Sequence, residues 1–97
     1  MKSKTYILTD ESLRIAKRLT NHWKHKFEIS IEDQIFKIFM PKATIQLEVS
    51  PTQLDVIIDN KVELTNQELQ QLENVVLDHI NRMVQADFKV DWIRSTE

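Results

Sequence analysis

The 97-residue chain contains no glycine, and that absence closes off more structures than any motif in it opens. Phosphate-cradling loops and dinucleotide-binding turns need backbone that reaches the ligand without a Cβ in the way, so neither can be built here. Turns that require a positive φ fall to asparagine or aspartate, the next most tolerant residues. Glu32-Asp33-Gln34 and Asp59-Asn60-Lys61 are placed for that role. The prolines, Pro41 and Pro51, fall between apolar runs, where a fixed φ helps a turn and a missing N–H costs little.

A chain of this length makes one domain, residues 1–97, with one core. With no cysteine, disulfides, thiolate metal sites and cysteine nucleophiles are excluded. The opening segment has no apolar core long enough for a signal peptide, and no stretch approaches the ~18 apolar residues of a bilayer span. A cytoplasmic protein without a cofactor is the expectation. Net charge is only −2 but uneven. Residues 1–26 hold seven Lys/Arg against two acids, a net +5, and residues 27–97 hold six against thirteen, a net −7. A basic surface on one element and an acidic one elsewhere follow, or internal complementarity between the two.

Hydrophobic spacing gives the elements. Lys4–Thr9 reads as a short strand, and residues 10 to about 25 as an amphipathic helix. That helix has Thr9 or Asp10 as N-cap, acids in its first turn, and Leu13, Ala16, Leu19, Thr20 and Trp23 on its apolar face. Four alternating runs follow: Phe27–Glu32, Ile35–Met40 (apolar on both faces), Ala43–Val49 and Leu54–Asp59. Thr65 and Glu68 form a capping box, with Leu64 and Leu69 as a hydrophobic staple. Leu69, Leu72, Val76, Ile80 and Met83 line one face of the helix they start. Asp87–Trp92 reads as a last strand with Phe88, Val90 and Trp92 inward. The order β-α-β-β-β-β-α-β with short connections predicts an α+β fold, a single antiparallel sheet with both helices on one face.

Three motifs in this order resemble a bacterial family, domain of unknown function 2218: His22, His25 and Lys26 ending the first helix, Leu72-Glu73 with Val75, Val76 and His79 in the second, and Val90-Asp91-Trp92 near the end. The likeness covers nearly the whole chain, and departs from the family's habit of glycine in the turns at Pro41. The resemblance implies an α+β fold without an established activity, and an association with siderophore and iron uptake.

The candidate binding residues are Arg18, His22, His25, Lys26 and His79. His22 and His25, three apart, are helical neighbours, and with His79 would make a three-imidazole metal site. Against a metal, Arg14 and Arg18 set positive charge beside His25. Arg14, Arg18 and His25 along one side of the helix suit an anion instead, since guanidinium groups match carboxylate and phosphate. The ordinary reading is a helix terminus: Trp23 packs, Lys24, His25 and Lys26 complement the C-terminal dipole for about 0.3–1 kcal/mol, and His79 is a partly buried, satisfied histidine. The basic face could also simply be solvated, or paired with Glu68, Glu73 and Asp78.

Outward strand positions carry Glu28, Glu32, Glu48, Asp55, Asp59, Asp87 and Asp91, offset only by Lys37 and Lys89. Such a face is acidic and wet, which argues against nucleic-acid binding. Ile57 with Ile35 or Phe39 are apolar exceptions that could seed a dimer. No nucleophile motif surrounds any serine, and a histidine acting with Glu73 is the one acid–base pairing to consider. Two functions follow: a non-enzymatic accessory domain binding a small anionic or metal-linked ligand through the first helix, or a homodimeric interaction module using the acidic sheet face.

Overall fold

The computed structural model describes residues 1–96. The elements are β1 (Lys2–Leu8), α1 (Ser12–Trp23), β2 (Glu28–Glu32), β3 (Ile35–Phe39), β4 (Ala43–Val49), β5 (Gln53–Asn60), α2 (Asn66–Val84) and β6 (Ile93–Ser95). Every strand pair is antiparallel, in the order β2-β3-β4-β5-β1-β6. The fold is the α+β arrangement that the spacing predicts.

Cross-strand partners share a face. The rows Ile31–Phe36–Leu47–Val56–Thr5 and Ile29–Ile38–Ile45–Ile58–Ser3 therefore lie on one side of the sheet. There the helices cover Phe36, Ile38, Ile45, Leu47, Val56 and Ile58 almost completely. Ile15, Ala16 and Leu19 of α1, and Leu69, Val76 and Ile80 of α2, complete the core. Trp23 is buried as expected, but Trp92 is only partly buried against the same cluster.

The first helix is shorter than its periodicity predicts. The Thr9 hydroxyl accepts the Glu11 N–H at 3.0 Å, which holds Thr9–Glu11 in a turn instead of capping the helix. No acid then occupies the first helical turn. The Ser12 hydroxyl donates to the Ser50 carbonyl, pulling the start of α1 onto the β4–β5 turn. Ile15 consequently points into the core, and Leu13 is left 43% exposed. At the other end the Lys26 and Phe27 N–H groups both donate to the Trp23 carbonyl, at 3.0 and 2.8 Å. His25 and Lys26 thus lie in a turn leading into β2, not in the helix.

The capping box of α2 forms as read. The Glu68 N–H donates to the Thr65 hydroxyl at 3.1 Å, and the Thr65 N–H to the Glu68 carboxylate at 3.0 Å. The Thr65 bonds, with a smaller contribution from Lys42, hold the Glu68 carboxyl below the ordinary carboxylate range. The helix ends at Gln85, in the left-handed region at φ 52°. Asp33 takes the other positive φ, 56°, as expected for that turn, whereas Asp59–Lys61 needs none.

The last strand is the main correction. Residues 87–92 are irregular, and β6 lies after them, pairing Ile93–Ser95 with Lys2–Lys4. Side chains take the place of the expected ladder. The Asn81 amide brackets Phe88, accepting its N–H at 2.8 Å and donating to its carbonyl at 3.2 Å. The Thr5 hydroxyl donates to the Asp91 carbonyl at 2.9 Å. These bonds hold Phe88, Val90 and Trp92 against the core without strand geometry.

A left-handed conformation strains a side chain with a Cβ by about 1–2 kcal/mol. Gln85→Gly should therefore stabilise the domain by about 0.5–1 kcal/mol, after the entropy that glycine loses on folding. Urea unfolding of the two proteins measures this as a higher midpoint at unchanged slope.

Candidate functional site

The two flanks of α1 have different neighbours. One faces α2, where the His79 ring lies 4.8 Å from Trp23 and 5.3 Å from His22, centroid to centroid. His79 Nδ1 is 2.8 Å from the Val75 carbonyl. A carbonyl can only accept, so Nδ1 carries the proton and a neutral ring keeps its free lone pair on Nε2. Arg18 donates to the Met83 carbonyl at 2.7 Å, at the α2 C-terminal end, where cations are favoured.

The five candidate binding residues therefore separate. His22 and His79 meet, and the Arg18 guanidinium reaches the same flank, engaged with backbone, although the residue also borders the groove on the other side of α1. His25 is exposed in the turn after the helix and joins no ring pair among the described residues, and the Lys26 ammonium sits 5.7 Å from the Phe27 ring. Among the described residues no three His, Asp or Glu side chains converge as metal ligands. His25 stands apart from the His22–His79 pair, in the turn that follows α1.

Glu73 is not a histidine's partner. It is 4% exposed, on the inner side of α2. Arg94 of β6 grips both carboxylate oxygens, at 2.9 and 3.1 Å, and the buried Ser3 hydroxyl donates to one of them. The register sets Ser3 opposite Arg94, so β1 and β6 present both donors from the helix side of the sheet. The carboxylate raises the Arg94 pKa further above its ordinary value. Nor do Arg14 and Arg18 pair with acids of α2. Arg14 bonds Glu11 at 2.8 Å, and Glu68 takes Lys42 at 3.5 Å.

The other flank of α1 faces β2 across an open groove of about 630 Å³. Ile29 and Ile31 form its apolar side, while Lys17, Arg18, Asn21 and Lys24 stand along the helix. No carboxylate lines the groove, and among the described residues Lys17 and Lys24 take part in no ion pair. Thr20 also borders it, but its hydroxyl already bonds the Ala16 carbonyl at 2.9 Å. Ile31 is 59% exposed there. Cations without counter-charges beside apolar surface suit a ligand with an anionic group and an apolar body. The excess of basic residues before position 27 signals this flank, but only the tertiary fold sets it beside Ile29 and Ile31.

The open face of the sheet is less acidic than alternation predicts. Lys2 pairs with Asp59 and Lys4 with Ile57, adding two cations to it, and Asp87 and Asp91 lie outside any strand. Tyr6, Leu8 and Ile93 are apolar exposures at its β1–β6 end. Among the described residues no helix is long and apolar enough to cross a membrane.

These features define a two-layer α+β domain with a basic, apolar-floored groove between its first helix and one sheet edge. The chain belongs to the family described as an uncharacterised protein conserved in bacteria (DUF2218), whose model matches residues 4–93. It is similar to PA4090 from Pseudomonas aeruginosa, solved by NMR, at 26% identity with a TM-score of 0.76 over 95% of this chain and 94% of that one. No curated protein matches the sequence.

Arg94→Ala should cost about 3 kcal/mol. That is the low end for stranding a buried charge, because the arginine is itself 32% exposed and water can partly replace it. Thermal unfolding of the variant measures the loss.

Proposed function

We propose that this domain is a non-enzymatic binding module that takes an anionic ligand with an apolar body against the β2-facing flank of α1. One observation carries the reading: Lys17 and Lys24, in no ion pair among the described residues, share a groove with Ile29 and Ile31, and none of its lining residues is acidic. The apolar wall supplies affinity through burial, and the cations supply orientation and faster encounter. The siderophore and iron-uptake association implied by the resemblance makes anionic metal chelates one class of ligand to include. In this reading the metal would arrive with the ligand, since the described residues offer no ligand set of their own.

The test is a thermal-shift panel of aromatic and aliphatic carboxylates, citrate, inorganic phosphate and ferric chelates, at low and high salt. A ligand selective for the folded state raises the melting temperature by mass action. The expected result is a saturable shift that weakens with salt and falls at least tenfold in affinity in the Lys17→Glu/Lys24→Glu double variant. Equal affinity in that variant, or no shift across the panel, overturns the reading.

A homodimer through the open sheet face is the second reading. It is favoured by Tyr6, Leu8 and Ile93, which are 56, 70 and 72% exposed. Light scattering across a concentration series should show twice the chain mass if this holds, and a strict monomer removes it.

A further inference from the structure

The two edges of the sheet are treated differently. At the β6 end the edge is blunted: β6 is only three residues long, and the irregular segment before it is tied to β1 by the Thr5–Asp91 bond. At the other end β2, Glu28-Ile29-Ser30-Ile31-Glu32, has β3 on one side and, among the described residues, no strand on the other. Exposed edges are usually protected by short length, charged side chains, proline or a bulge, and this strand carries Glu28 and Glu32 at its ends but no lysine or proline. Half of its backbone N–H and C=O groups point away from β3, ready for another strand. The groove beside α1 lies along this same strand, with Ile29 and Ile31 in its wall.

We infer that the free edge of β2 receives an extended peptide segment as a seventh strand, with carboxylates reaching Lys17 and Lys24 and basic side chains reaching Glu28 and Glu32. The inference rests on the groove reading above and names its ligand as a peptide. The charge pattern follows from strand geometry. An added strand would lie about 4.8 Å beyond β2, with side chains alternating between the two faces. On the helix side they meet Ile29, Ile31 and the two lysines, which favours apolar and acidic residues. On the open side they meet Glu28 and Glu32, which pair with Phe39 and Ile35 across β3 and not with a cation. That side favours lysine or arginine.

A second copy of this chain fits poorly. Antiparallel pairing of β2 with itself about Ser30 would set Glu28 opposite the Glu32 of the other copy at both ends, and would bring two basic α1 flanks together. Like charges directly opposite one another destabilise a strand pair. The occupant is therefore a different segment of alternating charge.

The probe is a capped five-residue peptide, Lys-Asp-Thr-Asp-Lys, which sets its lysines opposite Glu28 and Glu32 and its aspartates on the helix side, titrated into the ¹⁵N-labelled full chain. Its analogue N-methylated at alternate amides and a small dicarboxylate serve as companions. Strand addition predicts saturable shifts and slowed amide exchange within Glu28–Glu32, at least tenfold weaker binding of the methylated analogue, and weaker binding in Lys17→Glu/Lys24→Glu. Both lysines are exposed, and an unchanged spectrum elsewhere confirms that the variant folds. If the peptide and its methylated analogue bind alike, or the dicarboxylate binds and the peptide does not, strand addition fails while the anion groove stands. If neither ligand perturbs the α1 flank, both readings fall.

Discussion

The seating of α1 across the middle of the sheet determines most of what surrounds it. Ile15, Ala16 and Leu19 are wholly buried, and α1 packs over β3, β4 and β5. Burying a side chain such as leucine or isoleucine contributes about 1.5–3 kcal/mol, so this short face anchors the helix firmly. Ala16 is the smallest of the three, and its methyl lets the helix backbone come close to the sheet. A helix over the middle strands leaves β2 uncovered on its outer side. The open groove and the free edge are consequences of where α1 sits. The Trp23 carbonyl then takes two N–H groups and turns the chain directly into β2.

The second organising interaction is ionic. Glu73 interrupts the apolar stripe of α2, and such a residue is tolerable only if every lone pair is met. Arg94 and Ser3 meet them from adjacent strands. One carboxylate thus ties α2, β1 and β6 together, in a register that apolar contacts alone would specify less sharply. Such a pair adds little net stability over an apolar substitute, and its contribution is to fix which strand lies where.

Local signals were the ones legible in the sequence. The capping box at Thr65 depends on side chains three positions apart and forms as read. Alternation in β4 and β5 assigns the buried set correctly, because a one-residue slip would expose every one of those side chains, whereas β3, apolar on both faces of the run, buries only Phe36 and Ile38 fully. The errors arise where distant groups intervene. Phe88, Val90 and Trp92 alternate like a strand, but Asn81 and Thr5 capture the backbone there. Leu13 fits the helical stripe, but the Ser12–Ser50 bond sets how α1 lies on the sheet and leaves Leu13 outside. Three histidines could be counted in the sequence, yet only the packing of α2 on α1 shows that two meet and the third does not. Lys17 and Lys24 were visible as charges, without any indication that Ile29 and Ile31 would be their neighbours.

The position of β1 has a consequence for the order in which the domain assembles. β2 to β5 form a meander whose hairpins close over short loops, at little entropic cost. β1 precedes them in the chain but must pair with β5, and β6 pairs in turn with β1, setting Lys2 opposite Ser95. Contacts at such long sequence separation slow folding, since the loop must be ordered before its contacts form. A chain emerging from the ribosome can form the meander early. The outer edge of β1 stays unpaired until residues 93–95 have been made, so β6 closes a sheet whose other strands can already be in place.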